Sequence, residues 1–190
     1  PAELGKVLLA MAAGGWRDPL RGLSRSPRWP SHVEALVRHQ LRAAVRLDDA
    51  TQRVLRAPAW PDSRRQALLL EVIATTGSRF IEHNVPFPTR EAWSAASQVS
   101  RQGFIKALRG RLFNAQLEPA GVTERSVGFD VSACRFVELC HELGRPHLAA
   151  MFCEADSRYF AQHTELIELR RTRTQARDAT PCDFRFTLRA

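Results

Sequence analysis

ELIELRRTRTQARDATPCDFRFTLR, residues 165–189, is the stretch that decides the fold. In its last eight residues Cys182, Phe184, Phe186 and Leu188 alternate with Asp183, Arg185, Thr187 and Arg189, the period-two pattern of a strand with one buried face. The upstream piece ELIELRRTRTQA reads as a second strand, and RDATP between them carries the Asp and Pro of a turn. Together they predict an antiparallel C-terminal hairpin on which Thr172 and Thr174 share one strand face.

Working back from the hairpin, Pro146 opens a helix carrying HLAAMFCEADSRYFAQH, and SACRFVELCHELG is a shorter helix closed by Gly144 at the position after its C-cap. Val122, Val127, Phe129 and Val131 in VTERSVGFDV indicate another strand. The chain before Pro119 reads as helical. Ser31 and Glu34 match a capping box, and Val33, Leu36, Val37, Leu41, Ala44 and Val45 keep helical spacing to about Ala57. Residues 63–84 form the next helix, which stops at VPFP because a proline restricts its predecessor. Thr89 caps a third, expected to reach Leu117 with Trp93, Phe104, Ile105, Leu108, Leu112 and Phe113 inward. A short helix ending at Gly14-Gly15 and an irregular connector over residues 16–30 complete the chain. The expected class is α+β: a helical N-terminal body packed with a small antiparallel sheet that ends in the C-terminal hairpin. All of residues 1–190 are assigned to a single domain, helical over 1–118 and α+β over 119–190.

A chain of 190 residues with 44% hydrophobic and 25% charged residues has the size and balance of one globular domain. The net charge of +8, carried by 26 arginines against Lys6 and Lys106, raises the question of nucleic acid. The arginines, however, are spread over every segment, with no run of five like charges and no aromatic interleaving that would stack bases. A solvated arginine-coated surface is expected, and no nucleic-acid partner. VLLAMAA, residues 7–13, is too short to span a bilayer and lacks a basic leader with a cleavage pattern, so a cytoplasmic protein without a membrane partner is expected. Cys134, Cys140, Cys153 and Cys182 fit neither a disulfide scaffold nor a CxxC zinc ribbon, which points to reduced thiols. Homo-oligomerisation is left open.

Cys153 and Asp156 lie three apart on one helix and share a face. With Cys134 and Cys182 they form a set that can converge. Two chemistries fit: a thiol nucleophile with Asp156 as general acid or base, or thiolates holding a metal such as zinc together with a carboxylate or His147. Simple burial as a small hydrophobe is the third reading of each cysteine, and it fits Cys140 best. Arg170, Arg171 and Arg173 can grip a carboxylate, and Thr172 and Thr174 can donate hydrogen bonds to a ligand. GxSxG, HExxH, the phosphate loop and GxGxxG are absent.

The C-terminal third carries an ordered set: Cys134 opening a helix, the Leu143-Gly144 turn with Pro146 and Leu148, Cys153-x-x-Asp156, Arg171-Thr172-x-Thr174, and Cys182-Asp183-Phe184-Arg185-Phe186. This set resembles the bacterial L-2-amino-thiazoline-4-carboxylic acid hydrolase family. RDATP departs from the Gly-containing acidic turn that usually precedes that family's closing Cys-Asp. The resemblance implies a hydrolase that opens a small carboxylated C–N/C–S heterocycle, 2-amino-thiazoline-4-carboxylate or a related cyclic amidine acid. It implies Asp156 or Asp183 as the acid-base group, Cys153 or Cys182 as nucleophile, and Arg171 or Arg185 as carboxylate anchor, with Cys134, Thr172 and Thr174 on the binding side. No cofactor is expected, thiolate-bound zinc being the alternative. The rival function is a non-catalytic member that binds a small molecule or a metal. One conflict is built in: in an ideal strand Cys182 and Asp183 face opposite sides, so both reach one pocket only through a bulge or a strand end.

Overall fold

The computed structural model describes residues 2–14, 18–111, 114–178 and 181–189. The N-terminal body consists of α1 (Ala2–Ala13), α2 (Ser31–Val54) and α3 (Asp62–Asn84), followed by the shorter α4 (Arg90–Ala95) and α5 (Gln98–Arg109). Then come β1 (Ala115–Val122), β2 (Ser126–Cys134), α6 (Arg135–Glu142), α7 (Pro146–Ala161), β3 (Ile167–Arg170), α8 (Gln175–Asp178) and β4 (Cys182–Leu188). The architecture is the expected α+β, with all four strands antiparallel in the order β1-β2-β4-β3.

The inward row of β4 behaves as its alternation dictates: Cys182, Phe184, Phe186 and Leu188 are buried. They meet Val127, Phe129 and Val131 of β2 across the ladder, where Phe129 stacks on Phe184 with ring centroids 5.1 Å apart. On the opposite face Asp130 and Asp183 stand directly across from each other, a like-charge pairing that is unfavourable by itself. Each is neutralised separately. Arg185 donates to Asp130 at 2.7 Å, while Asp183 accepts from the backbone of residues 172 and 173.

Several expectations are corrected. Ser31 does not cap α2: its N-cap is Pro30, and Glu34 is buried in ion pairs with Arg38 and Arg135 at 2.9 and 2.8 Å. The third helix does not run through to Leu117. Thr89 caps it as expected, but the chain becomes extended at Ala96 and restarts at α5, because the Ser97 side chain accepts from the Ser100 amide and favours a new helix start. Leu117 lies in β1, whose Pro119 and Gly121 hide the strand from propensity but are tolerated at a sheet edge. Val122 ends that strand, so the VTERSVGFDV segment turns from β1 into β2. Leu112 and Phe113, expected inside the long helix, and Gly15 of the first helix end lie outside the described residues, as do Ala179 and Thr180 of the RDATP turn. β3 ends at Arg170, so Thr172 and Thr174 do not lie on a strand face.

Two buried clusters fill the interior. One joins α1, α2, α3, α6 and α7, the other lies between the sheet, α4, α5 and the end of α7, and Cys134 packs against both. Between them α3 and α7 approach closely at Gly77. A Cβ on that glycine would stand 2.7 Å from the Ala155 Cβ, so only hydrogen fits there without moving a helix. Gly77→Val should therefore lower the unfolding free energy by roughly 1–3 kcal/mol through overpacking. Urea denaturation checks this, and an unchanged midpoint would show that the two helices are not held at this distance.

Candidate active site

A cleft of about 1030 Å³ opens between the helical body and the sheet. Five of the residues singled out from the sequence line it: Cys134 at the end of β2, Cys153 and Asp156 on α7, Arg171 just past β3, and Cys182 at the start of β4. Their convergence follows from local structure. Cys153 and Asp156 share a face of α7 because they are three residues apart, and Cys182 faces the cleft because it belongs to the inward row of β4. Cys134 ends β2 directly across from Ala115 and precedes the first turn of α6.

Arg171 is the electrostatic centre of this group. Its side chain is 8% exposed, and it donates to the Asp156 carboxylate at 3.0 Å, the Cys153 carbonyl at 2.6 Å and the Ser157 hydroxyl at 3.1 Å. The guanidinium also lies 5.1 Å from the centre of the Phe184 ring, within cation–π range. Burial pushes the Asp156 carboxyl above its ordinary range, and the Arg171 charge and hydrogen bond only partly offset this.

Burial also governs the thiols. The Cys134 thiol is pushed up to about 11 by desolvation, against the backbone amides of Val137 and Phe136 and the side chain of Asn114. Desolvation raises Cys153 as well, reinforced by Cys134. The Cys182 sulfur accepts from the Gln175 amide at 3.2 Å. Cys140 is fully buried away from the cleft, as expected. None of the four cysteines is in a disulfide. Among the described residues, no three His, Cys, Asp or Glu side chains are grouped so as to hold a metal ion.

The other sequence candidates are placed elsewhere. Asp183 points to the opposite side of β4 from Cys182, where it accepts from the Thr172 amide at 2.8 Å, the Thr172 hydroxyl at 2.6 Å and the Arg173 amide at 2.6 Å. Those bonds outweigh its burial and hold the carboxyl below its ordinary range. Thr172 is therefore engaged with Asp183, and Arg185 with Asp130 and the Phe129 and Phe184 carbonyls. Neither residue lines the cleft, nor does Thr174.

Other cleft residues escape a sequence reading. Arg111 lines it beside Asn84, to whose carbonyl it donates, and Asn114 donates to the Cys134 sulfur at 3.6 Å. Both stand in the α5–β1 connection, which carries no motif. His32 and His39 also line it, and their seven-residue spacing on α2 is the one signal that could have flagged them.

Asp183→Asn should cost roughly 1.5–3 kcal/mol at neutral pH, since it weakens three hydrogen bonds to a charged acceptor. Because the folded-state carboxyl is depressed, this contribution is present above the ordinary carboxylate range and disappears as pH falls through the lowered value. Denaturation of both proteins across pH tests this, and equal stabilities at pH 7 would refute the latch. The raised Cys134 thiol should be alkylated about 100-fold more slowly at pH 8 than an ordinary cysteine, and Cys153 more slowly still, as read by mass spectrometry of the native protein. Labelling at the ordinary rate would show that burial does not control them.

A sequence model of the L-2-amino-thiazoline-4-carboxylic acid hydrolase family matches residues 79–186, more than half of the chain, which therefore belongs to that family. No curated protein and no solved structure matches.

Proposed function

We propose that this family member hydrolyses a small carboxylated heterocycle whose ring carbon lies between nitrogen and sulfur, with 2-amino-thiazoline-4-carboxylate as the type substrate. The observation that supports this best is the convergence of Asp156, Arg171 and three cysteines on one cleft, all within the segment matched by the family.

The ring is a cyclic isothiourea, basic enough to carry a proton, and protonation makes its central carbon electrophilic. Asp156 in its ionised form takes a proton from water as the oxygen attacks that carbon. The same group then returns the proton to the departing atom. The water oxygen becomes the carbonyl of a carbamoyl group. Its two protons end on the ring nitrogen and the released sulfur when the C–S bond breaks, or both on the nitrogen when the C–N bond breaks. Arg171 fixes the Asp156 carboxylate, and three of its five N–H groups serve the protein. The remainder, with Arg111, which also lines the cleft, supply positive charge for the substrate carboxylate. With Cys134 and Cys153 protonated near neutrality, water is the nucleophile and the thiols serve as weak donors around the ring. Asp183 acts at one remove, by positioning the segment that carries Arg171.

Incubation with 2-amino-thiazoline-4-carboxylate, followed by detection of the released thiol or amine, tests the reaction. Asp156→Asn should lower turnover roughly 100-fold or more with little change in substrate affinity. In the unmodified protein, activity should rise with pH through a step above the ordinary aspartate range, because burial keeps Asp156 protonated to higher pH, and the variant should lack that step. Full activity in Asp156→Asn removes the carboxylate from the mechanism. Binding without any turnover would favour a non-catalytic carrier or sensor of the same ligand.

A further inference from the structure

We propose that the cleft accepts a ring acid with a long apolar substituent: an alkyl chain on the ring carbon, where the type substrate carries an amino group. This rests on the hydrolase reading for its chemistry, but not for its binding.

Ligand pockets of roughly 300–1,000 Å³ enclose drug-sized molecules. This cleft reaches about 1030 Å³, whereas a five-membered ring with one carboxylate is a fragment that leaves most of it empty. The lining comes from two parts of the chain, and the helices before residue 79 add polar side chains, His32, His39, Gln40 and Thr76, as well as apolar ones. The reactive end, Cys134, Cys153, Asp156, Arg171 and Cys182, comes from the β2–α6 junction, α7, the segment after β3, and β4. Val7, Leu8, Met11, Leu36, Ala43 and Val72 line the same cleft from α1, α2 and α3, all from residues preceding the matched segment 79–186. Leu8 is 57% and Val72 is 37% exposed, so apolar side chains face solvent beside the reactive groups. Water is a poor occupant for such a wall, and an apolar chain continuous with the ring would cover it. In such a substrate water adds to the ring carbon and the C–S bond breaks. One proton of water goes to nitrogen and one to sulfur, so the product is an N-acyl amino thiol acid. No further reactant is needed.

The test uses the full chain and two matched series. Stable 2-methyl-, 2-butyl- and 2-octylthiazole-4-carboxylates report binding by calorimetry, and the corresponding thiazolines report hydrolysis by thiol release. Dissociation constants should fall about fourfold per added methylene across the first part of the series, the increment expected for moving each group out of water. In Val72→Glu that dependence should be lost. Constants that do not change with chain length overturn the proposal. If sedimentation also shows a concentration-dependent dimer, the apolar wall is an interface between copies. If the chain-length dependence appears but no thiazoline is opened, the apolar site stands and the hydrolase reading fails. If 2-amino-thiazoline-4-carboxylate is opened without any chain-length dependence, the hydrolase reading stands and this proposal fails.

Discussion

The site depends on one buried guanidinium. Arg171 cannot lose its proton under any condition the fold survives, so a protein that buries it must surround it with acceptors. Asp156, the Cys153 carbonyl and the Ser157 hydroxyl are all on α7, and the Phe184 ring closes the set from β4. The requirement to satisfy one cation therefore ties the segment after β3 to a helix and a strand at once. It also places the carboxylate of Asp156 in the cleft in a fixed orientation. Such a pair is weak evidence for added stability, because desolvation of both charges offsets their attraction. Its consequence is geometric.

The alternation of β4 converts that geometry into a division of labour. Cys182 and Asp183 are neighbours in sequence but lie on opposite sides of the strand, one toward the cleft and the other toward the backbone of Thr172 and Arg173. Arg171 immediately precedes those two residues, so it is gripped from both sides: its side chain by α7, and its following backbone by Asp183. The strand needs no bulge to resolve the conflict between its thiol and its acid, since the two never share a pocket. On the Asp183 side, the Asp130 carboxylate directly opposite would repel it, and Arg185 is used up in cancelling that charge. This is why an arginine so close in sequence to Cys182 does not line the cleft.

What the sequence made legible follows the same physics. The period-two row of β4, the three-residue spacing of Cys153 and Asp156, Gly144 after its helix and Pro146 at the start of α7 are local signals, and each matches the structure. Thr172 and Thr174 misled because threonine is a strand former, whereas here the Asp183 carboxylate takes the Thr172 and Arg173 amides away from any ladder. Ser31 and Glu34 misled for a related reason: the glutamate looks like a capping residue but is consumed by the buried Arg135, more than one hundred positions later. Arg111 and Asn114 reach the cleft only because β1 pairs with β2 beside them, and a long-range pairing leaves no trace in their own neighbourhood.

Burial has opposite meanings for the two kinds of acid in the cleft. Desolvation raises the Asp156 carboxyl while the Arg171 charge opposes that rise, whereas the Cys134 thiol is raised to about 11 and stays protonated near neutrality. The resting cleft thus sets an ion-paired carboxyl beside the neutral thiols of Cys134 and Cys153. A protonated isothiourea, the substrate proposed above, would change this balance on entering, since its positive charge would lie among groups whose ionised forms it favours. By the proposed chemistry, the substrate's own charge would strengthen Asp156 as a carboxylate and draw down the thiols, and both effects fade once the ring opens to a neutral carbamoyl group. A site built of desolvated acids around the fixed Arg171 cation would then bind the charged ring more tightly than the neutral end of its product, which would give the proposed hydrolysis a physical reason for release.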